Sequence, residues 1–345
     1  MLPSNEKLGM LWHMDIRICT KKEWENSYFT TKNTEFLQSW EWGSFQERAR
    51  NRVIRLQFYN NKVFLGQAQA VICSFGRFFR YIYLPRSSKI PLEVFPAFKS
   101  FCKKHRYIFV RCEGVKVLDC AHESVVSTGN RQPKDTLILS LDREEDDILS
   151  QMHRKTRYNI RLGLRKNLHV AKEKNGDVFW DLHKQTSERD GFGGHGKTYY
   201  ENMLVSPNIT QMTAYAGDTP VASNIFVVYN KVYTYLHGAS ANQHRNLMAP
   251  YVLQWEAIQH AKELGCTEYD FWGVAPKGEV GVSDEGLQKF HTLSWKGDHT
   301  LSGVTRFKAG FGGKRKTYPQ AFDIVCDPVV YKLYKSAKHI KRIIT

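Results

Sequence analysis

One order of elements is written into this chain twice. In the first copy a turn at Asn60-Asn61 leads into a strand-like run from Val63 to Ile72 and an aromatic strand from Phe78 to Leu84. A helix from about Leu92 to His105 and a strand from Tyr107 to Cys112 complete it. In the second copy the turn is Gly217-Asp218, and the strands run from Val221 to Tyr229 and from Val232 to His237. A helix from Pro250 to Leu264 and a strand from Glu268 to Trp272 follow. β-Branched and aromatic residues fill the strands of both copies. The second helix carries its own punctuation. Pro250 suits the first helical position, Leu253, Ala257, Ile258, Ala261 and Leu264 recur at helical spacing, and Gly265 sits where a terminating glycine belongs. Two β-turn-β-β-α-β units predict an α/β chain with mixed sheets and two domains, which 345 residues accommodate.

Hydrophobic residues make up 42% of the chain and aromatics 13%, enough for packed cores. No run approaches the roughly 18 apolar residues of a membrane span. Asn5, Glu6, Lys7 and Asp15 interrupt the first segment, so it lacks the apolar centre of a secretory signal and a cytoplasmic location is expected. Seven cysteines without a C-x-x-C pair argue against a disulfide framework and a thiolate zinc site. Fifty Lys and Arg against 34 Asp and Glu leave a net charge of +16, a field that favours polyanions. Two stretches concentrate it. Residues 153–174 hold eight Lys/Arg and one acid, and the acidic run Asp142 to Asp147 suits the first turn of a helix that this segment continues. The last fifteen residues hold five Lys/Arg and no acid, and Tyr331, Tyr334, Ile340 and Ile343 make them an amphipathic helix suited to an anionic membrane surface. Each stretch reads either as a solvated helix face or as a phosphate-neutralising surface.

The search for reaction machinery is mostly negative. There is no G-x-x-x-x-G-K-[ST] loop and no G-x-G-x-x-G after a strand, and Gly191-Phe-Gly-Gly194 reads as a plain loop. Thirteen histidines contain no H-E-x-x-H or paired ligand spacing, and no G-x-S-x-G occurs, so neither metal nor cofactor is expected. Transfer of a group from an already activated donor needs none of these. The repeated unit resembles acyltransferases of the GNAT kind, whose pyrophosphate cradle reads Q/R-x-x-G-x-G/A. Here the segment is Arg245-Asn-Leu-Met-Ala-Pro250: Met248 replaces the first glycine and Pro250 removes a backbone donor. A coenzyme A pyrophosphate would be held poorly, as in a GNAT fold that has changed its donor.

Seven segments then carry a closer resemblance. They are Phe36-Leu-Gln-Ser39 with Trp42-Gly43, Gln132-Pro133 with Thr136, Arg157 to Arg161, Thr186 to Phe192, Tyr235 to Ser240, Tyr269 to Gly273 and Arg306 to Gly313. Together, from about residue 34 to 335, the chain resembles the FemA/FemB/FemX family of peptidoglycan bridge-forming aminoacyltransferases. The resemblance implies two tandem, closely packed GNAT-like domains without the helical arm of some members. Residues 1–147 would form the first, completed by 318–345, and residues 148–317 the second. It implies that the amine of a precursor stem peptide attacks the ester of an aminoacyl-tRNA of the Ala, Ser or Gly class. The acceptor is a UDP-linked or lipid-linked precursor, with the basic tail favouring the lipid-linked form. A monomer in peripheral contact with the inner membrane surface is expected.

Residue by residue, the resemblance makes Lys308 the cation that faces the developing oxyanion. Phe307 packs beside the acceptor end, and Glu113 is a carboxylate that orients or deprotonates the amine. Arg245 matches the arginine that binds the precursor diphosphate. The lysine that follows the Trp-Gly motif in the compact member is replaced here by Ser44 or Gln46, so Trp42 and Gln46 mark that wall. Tyr251, Tyr269 and Asp270 are further substrate candidates. Lys155, Arg157 and Arg161 line the tRNA path, while Arg189 and Asp190 read as an internal ion pair. Two other readings stay open: an N-acyltransferase fed by acyl-coenzyme A or acyl carrier protein, and a non-catalytic basic protein that binds RNA or the envelope surface.

Overall fold

The computed structural model describes residues 14–26, 35–87, 90, 94–115, 124–277 and 286–344. Its contacts divide the chain into two units. Met1–Thr30, Asn51–Gly129 and Gln320–Thr345 form the first, and Thr31–Arg50 with Asn130–Pro319 the second.

The first unit is built on β1 (Met14–Ile18), β2 (Arg52–Asn60), β3 (Val63–Phe75), β4 (Phe79–Leu84), β5 (Phe109–Cys112), β6 (Val125–Ser127) and β16 (Phe322–Val325), in the order β1-β2-β3-β4-β5-β16-β6. Neighbours are antiparallel except β4 and β5. A parallel pair needs a crossover, and helix α3 (Phe95–His105) supplies it. Alternation along β4 separates two faces: Ile82 and Leu84 join the core under α3, with Phe98 and Cys102, while Tyr81 and Tyr83 join a second cluster. That cluster closes on Tyr331 and Tyr334 of α10 (Pro328–Ile344). The short α1 (Lys21–Glu25) is fixed by a capping box of Thr20 and Glu23.

The second unit repeats the plan with β7 (Asp135–Ser140), β8 (His169–Glu173), β9 (Ile209–Ala216), β10 (Thr219–Tyr229), β11 (Val232–Ser240), β12 (Glu268–Val274) and β15 (Lys314–Thr317), in the order β15-β7-β12-β11-β10-β9-β8. The parallel pair is β11 and β12, joined through α8 (Ala249–Glu263). β13 (Leu287–Phe290) and β14 (Leu293–Lys296) make a separate hairpin. One side of the sheet holds Leu253, Ala257 and Ile258 of α8 against Phe271 and Phe311. The other holds α2 (Trp40–Arg48), α6 (Gly176–Asp190) and α7 (Lys197–Leu204) through Phe45, Phe179, Leu182 and Tyr200. Both units are thus mixed α/β with the GNAT-like order of antiparallel meander, helix and parallel strand. Among the described residues no helix is longer than the 17 residues of α10, so there is no long helical arm. None is long and apolar enough to cross a membrane.

Three details depart from the expectations. Thr31–Arg50, expected in the first domain, falls in the second unit. β7 falls before the expected boundary at 147/148, yet it pairs with β12 and β15 in the second sheet. The acidic and basic segments do not make one helix. They form α4 (Glu145–Gln151) and α5 (Arg154–Leu164), broken at His153. His153 is extended (φ −57°, ψ 139°), its Nδ1 accepts the Lys155 amide, and its own N–H donates to Gly310 O at 2.9 Å.

Candidate functional site

The second unit's site starts from an irregularity in β12. Its register against β7 shifts between Asp270 and Gly273, and Trp272 sits at φ +61°. A bulky residue in the left-handed region is strained, so its neighbours must hold it. Asp270 Oδ1 accepts the Trp272 amide at 2.7 Å and a hydroxyl hydrogen bond from Thr136, and the Phe36 ring lies 5.2 Å from the Trp272 ring. Gly273 follows in a space only glycine fits, because an added Cβ would stand 2.7 Å from Pro133 Cγ.

Lys308 reaches this bulge from α9 (Ser302–Ala309). The helix is pinned at both ends of its first two turns. The Trp295 indole donates to Ser302 Oγ at 2.8 Å, and Thr305 Oγ1 accepts the Ala275 amide at 2.7 Å while donating to Leu301 O. The Lys308 side chain is only 6% exposed. Its Nζ donates to Gly273 O at 2.8 Å and lies 5.5 Å from the Tyr235 ring centre. Among the described residues Gly273 O is its hydrogen-bond acceptor, which leaves N–H bonds of the ammonium available. Burial pushes the amine down to about 7, against the pull of the Asp270 charge. The group is therefore balanced between charged and neutral close to neutral pH. Phe307, one residue earlier, meets Tyr251 edge-on at 5.1 Å and Phe311 at 5.3 Å.

The other expected residues distribute unevenly. Arg245 is exposed, on a single 3₁₀ turn flanked by left-handed His244 and Met248 (φ +57°). Met248 thus adopts the conformation for which a phosphate loop would use glycine. Trp42 packs between Phe36 and Phe45, at 4.8 and 4.9 Å. Gln46 is hydrogen-bonded to the Tyr199 hydroxyl, and the Tyr199 ring stacks on His195 at 3.7 Å. Tyr269 is a core residue instead of a substrate contact: it has no exposed surface, and its hydroxyl donates to Gln254 Oε1 at 2.7 Å. Arg157 is engaged within the fold. Its guanidinium donates to Ser150 O at 2.9 Å and to Met152 O, capping the carbonyl end of α4. Lys155 and Arg161 are exposed on α5. Arg189 and Asp190 pair at 2.8 Å. Glu113 belongs to the first unit, where it is buried and accepts the Tyr83 hydroxyl at 2.7 Å. The sequence marks Thr136, Tyr235 and Gly273 as parts of family-like segments but assigns them no role at the site. Among the described residues no cluster of three or more His, Cys, Asp or Glu side chains could hold a metal ion.

Comparison with known proteins decides the ancestry. The model of the FemAB family matches residues 122–206 and 207–339, well over half of the chain. The chain belongs to the FemAB family. Among FemAB relatives, the lipid II:glycine glycyltransferase of Staphylococcus epidermidis is 22% identical over 227 residues, covering 46% of this chain and 54% of that protein. Aminoacyltransferase FemA of Staphylococcus aureus is 24% identical over 127 residues, covering 37% and 26%. The chain therefore spans about half the length of the glycyltransferase it matches. The crystal structure of FemX superposes with a TM-score of 0.73 at 16% identity, over 92% of this chain and 99% of that one. The fold is shared. All seven FemAB-like segments fall in the second unit. Several of them meet there: Pro133 and Thr136, Tyr235, Asp270 to Gly273, and Lys308 surround one point. Thr186 is hydrogen-bonded to both backbone groups of Ser240.

Proposed function

We propose that this FemAB chain is an aminoacyltransferase that moves an aminoacyl group from tRNA to the amine of a peptidoglycan precursor. The observation that carries the reading is the buried Lys308 ammonium, held by Gly273 O with N–H bonds to spare. In the reaction the amine nitrogen bonds to the ester carbonyl carbon, the ester C–O bond breaks, and the proton released by the amine goes to the departing ribose oxygen. Negative charge gathers on the carbonyl oxygen in between, and a desolvated, preorganised cation acts most strongly on such a charge. Tyr235 is the ring that stands next to the ammonium, and Phe307 with Tyr251, in mutual contact, is proposed to pack beside the acceptor end. Arg245 is exposed and charged to meet a diphosphate, and Lys155 and Arg161 to meet tRNA phosphates. The name of the lipid II:glycine glycyltransferase supports a small donor residue and a lipid-linked acceptor, and that of FemA an aminoacyl donor.

The test incubates the protein with mixed aminoacyl-tRNAs and, separately, a UDP-linked and a lipid-linked precursor, and weighs the products. A mass gain of one aminoacyl residue is expected in at least one of the two mixtures. No gain in either removes the reading. Product from acetyl-coenzyme A instead would favour the N-acyltransferase alternative, against which Met248 and Pro250 stand.

The balance at Lys308 gives a pH dependence. With the amine lowered to about 7, transfer is expected to decline as pH rises through that value, because the cation is lost. The Asp270 charge raises the lysine, so Asp270→Asn should move this decline to lower pH. A decline at unchanged pH would make Asp270 a brace for the Trp272 bulge and nothing more.

A further inference from the structure

We infer that the outer face of α10 and the tip of the β3–β4 hairpin form one surface that docks this chain on an anionic phospholipid bilayer. The inner stripe of α10 is spoken for. Tyr334 lies 5.0 Å from Phe109, 5.9 Å from Tyr81, 5.5 Å from Phe75 and 6.2 Å from Phe79, and both Tyr331 and Tyr334 are buried. The outer stripe is not. Val329 is 71% exposed and Leu333, one turn later, 57% exposed, with exposed Lys332 beside them and Lys335, also exposed, reaching over the Tyr331 ring at 5.9 Å from its centre. Phe75 and Phe79 bracket the hairpin tip Gly76-Arg77-Phe78, so their contacts with Tyr334 fasten the tip to the helix. At that tip Phe78 is 86% exposed, beside exposed Arg77.

Single exposed apolar residues are ordinary on a protein surface. Three of them on two elements tied together, set among cations, call for an apolar partner that is also negatively charged. The surrounding sequence offers nothing to offset the positive field: no Asp or Glu occurs between Glu47 and Glu93, and none follows Asp327. Asp327 itself caps α10, accepting the Val330 amide at 3.0 Å. A nucleic acid would reward the lysines and leave Phe78, Val329 and Leu333 in water. The boundary of an anionic bilayer takes both, with the apolar side chains sinking below the headgroups and the lysines staying among the phosphates. The contact is peripheral, as none of the described helices can span a membrane. This surface lies in the first unit and does not depend on the transfer chemistry at Lys308.

Vesicle sedimentation of the full chain tests it, using phosphatidylcholine alone and a phosphatidylcholine–phosphatidylglycerol mixture, at low and high salt. Binding is expected to the mixed vesicles only and to weaken with salt. Phe78→Ser with Leu333→Ser, and separately Lys332→Glu with Lys335→Glu, should each lower the partition coefficient by about tenfold or more. The thermal midpoint should stay unchanged, since all four side chains are exposed. Lys308→Met should bind vesicles as the parent does, whether or not it transfers. Absence of binding, or equal binding to neutral vesicles, overturns the proposal. So does a result in which the serine variant binds vesicles normally while the glutamate variant loses affinity for tRNA, which would make the face a polyanion site.

Discussion

Replacing Lys308 with methionine is expected to remove most transfer activity while making the fold more stable. The activity loss follows from the chemistry proposed for the site: deleting one preorganised donor at a developing oxyanion costs about a hundred- to a thousandfold in rate. Precursor binding should survive, because Arg245 is untouched. The stability gain follows from burial. Desolvation lowers the amine from its ordinary 10.5 to about 7, so the native state disfavours the charged form. Below pH 7 the amine is protonated in both native and unfolded chains, and the fold bears the full cost of a buried charge. Between about 7 and 10.5 only the unfolded chain keeps the proton, so the parent's stability rises with pH across this window. Methionine, similar in length and uncharged, abolishes that dependence. The variant's gain in thermal midpoint should therefore be largest below pH 7 and shrink towards pH 10.5. A variant that still forms amide, or one destabilised at every pH, would show that the ammonium serves packing and not catalysis. A stable variant without activity is the signature of a site that stores strain for function.

How much of this could be read from the sequence depends on whether a feature is local. Helix α8 was legible because its ends are made by its own residues: Pro250 near its start, and Gly265, which takes φ +70° just past the end. Its counterpart α3 was legible in place but not in detail, since it stops on Arg106 in the left-handed region, with no glycine to announce it. The break between α4 and α5 was invisible, because the carbonyl that captures the His153 amide belongs to Gly310. Arg157 lost its expected place on an RNA path as a consequence of that break: with α4 ending ahead of His153, the Ser150 and Met152 carbonyls, seven and five residues back, claim the guanidinium. Tyr269 is a different kind of miss. Strand alternation places Tyr269 and Phe271 together in the core and turns Asp270 the other way, so the period of two alone separates them. The bulge at Trp272 had no local signal at all. A tryptophan is a poor residue for φ +61°, and Asp270 and Thr136, brought together by the pairing of β7 with β12, help to hold it there. Resemblance located the segments. The register decided which of their side chains are available.

The largest loss of stability is expected from breaking the Arg111–Asp323 pair, which joins residues 212 apart in the chain. β16 runs antiparallel to β5 with Asp323 directly opposite Arg111. Two parallel bonds of 2.8 Å link the guanidinium to both carboxylate oxygens, the side chains are 4% and 0% exposed, and the Tyr331 hydroxyl donates to Oδ2 at 2.7 Å. The Tyr81 and Phe109 rings stand 5.6 and 5.4 Å from the guanidinium. The attraction is thus spent largely on offsetting the desolvation of both groups, which makes the pair costly to halve and cheap to remove whole. Arg111→Met strands a buried carboxylate, and Asp323→Leu strands a buried guanidinium. Each should cost about 3–5 kcal/mol. The double variant should cost clearly less than the sum, since neither charge is then left buried alone. Urea unfolding of the four proteins measures this directly. Additive losses would mean that the two groups are solvated independently. Losses under about 1 kcal/mol, the range of exposed pairs, would mean that water reaches them. Because Tyr331 hangs α10 on Asp323, the single variants should also loosen that helix. Vesicle binding should then fall along with stability in Asp323→Leu, where Tyr331 loses its acceptor, more than in Arg111→Met, where it keeps it.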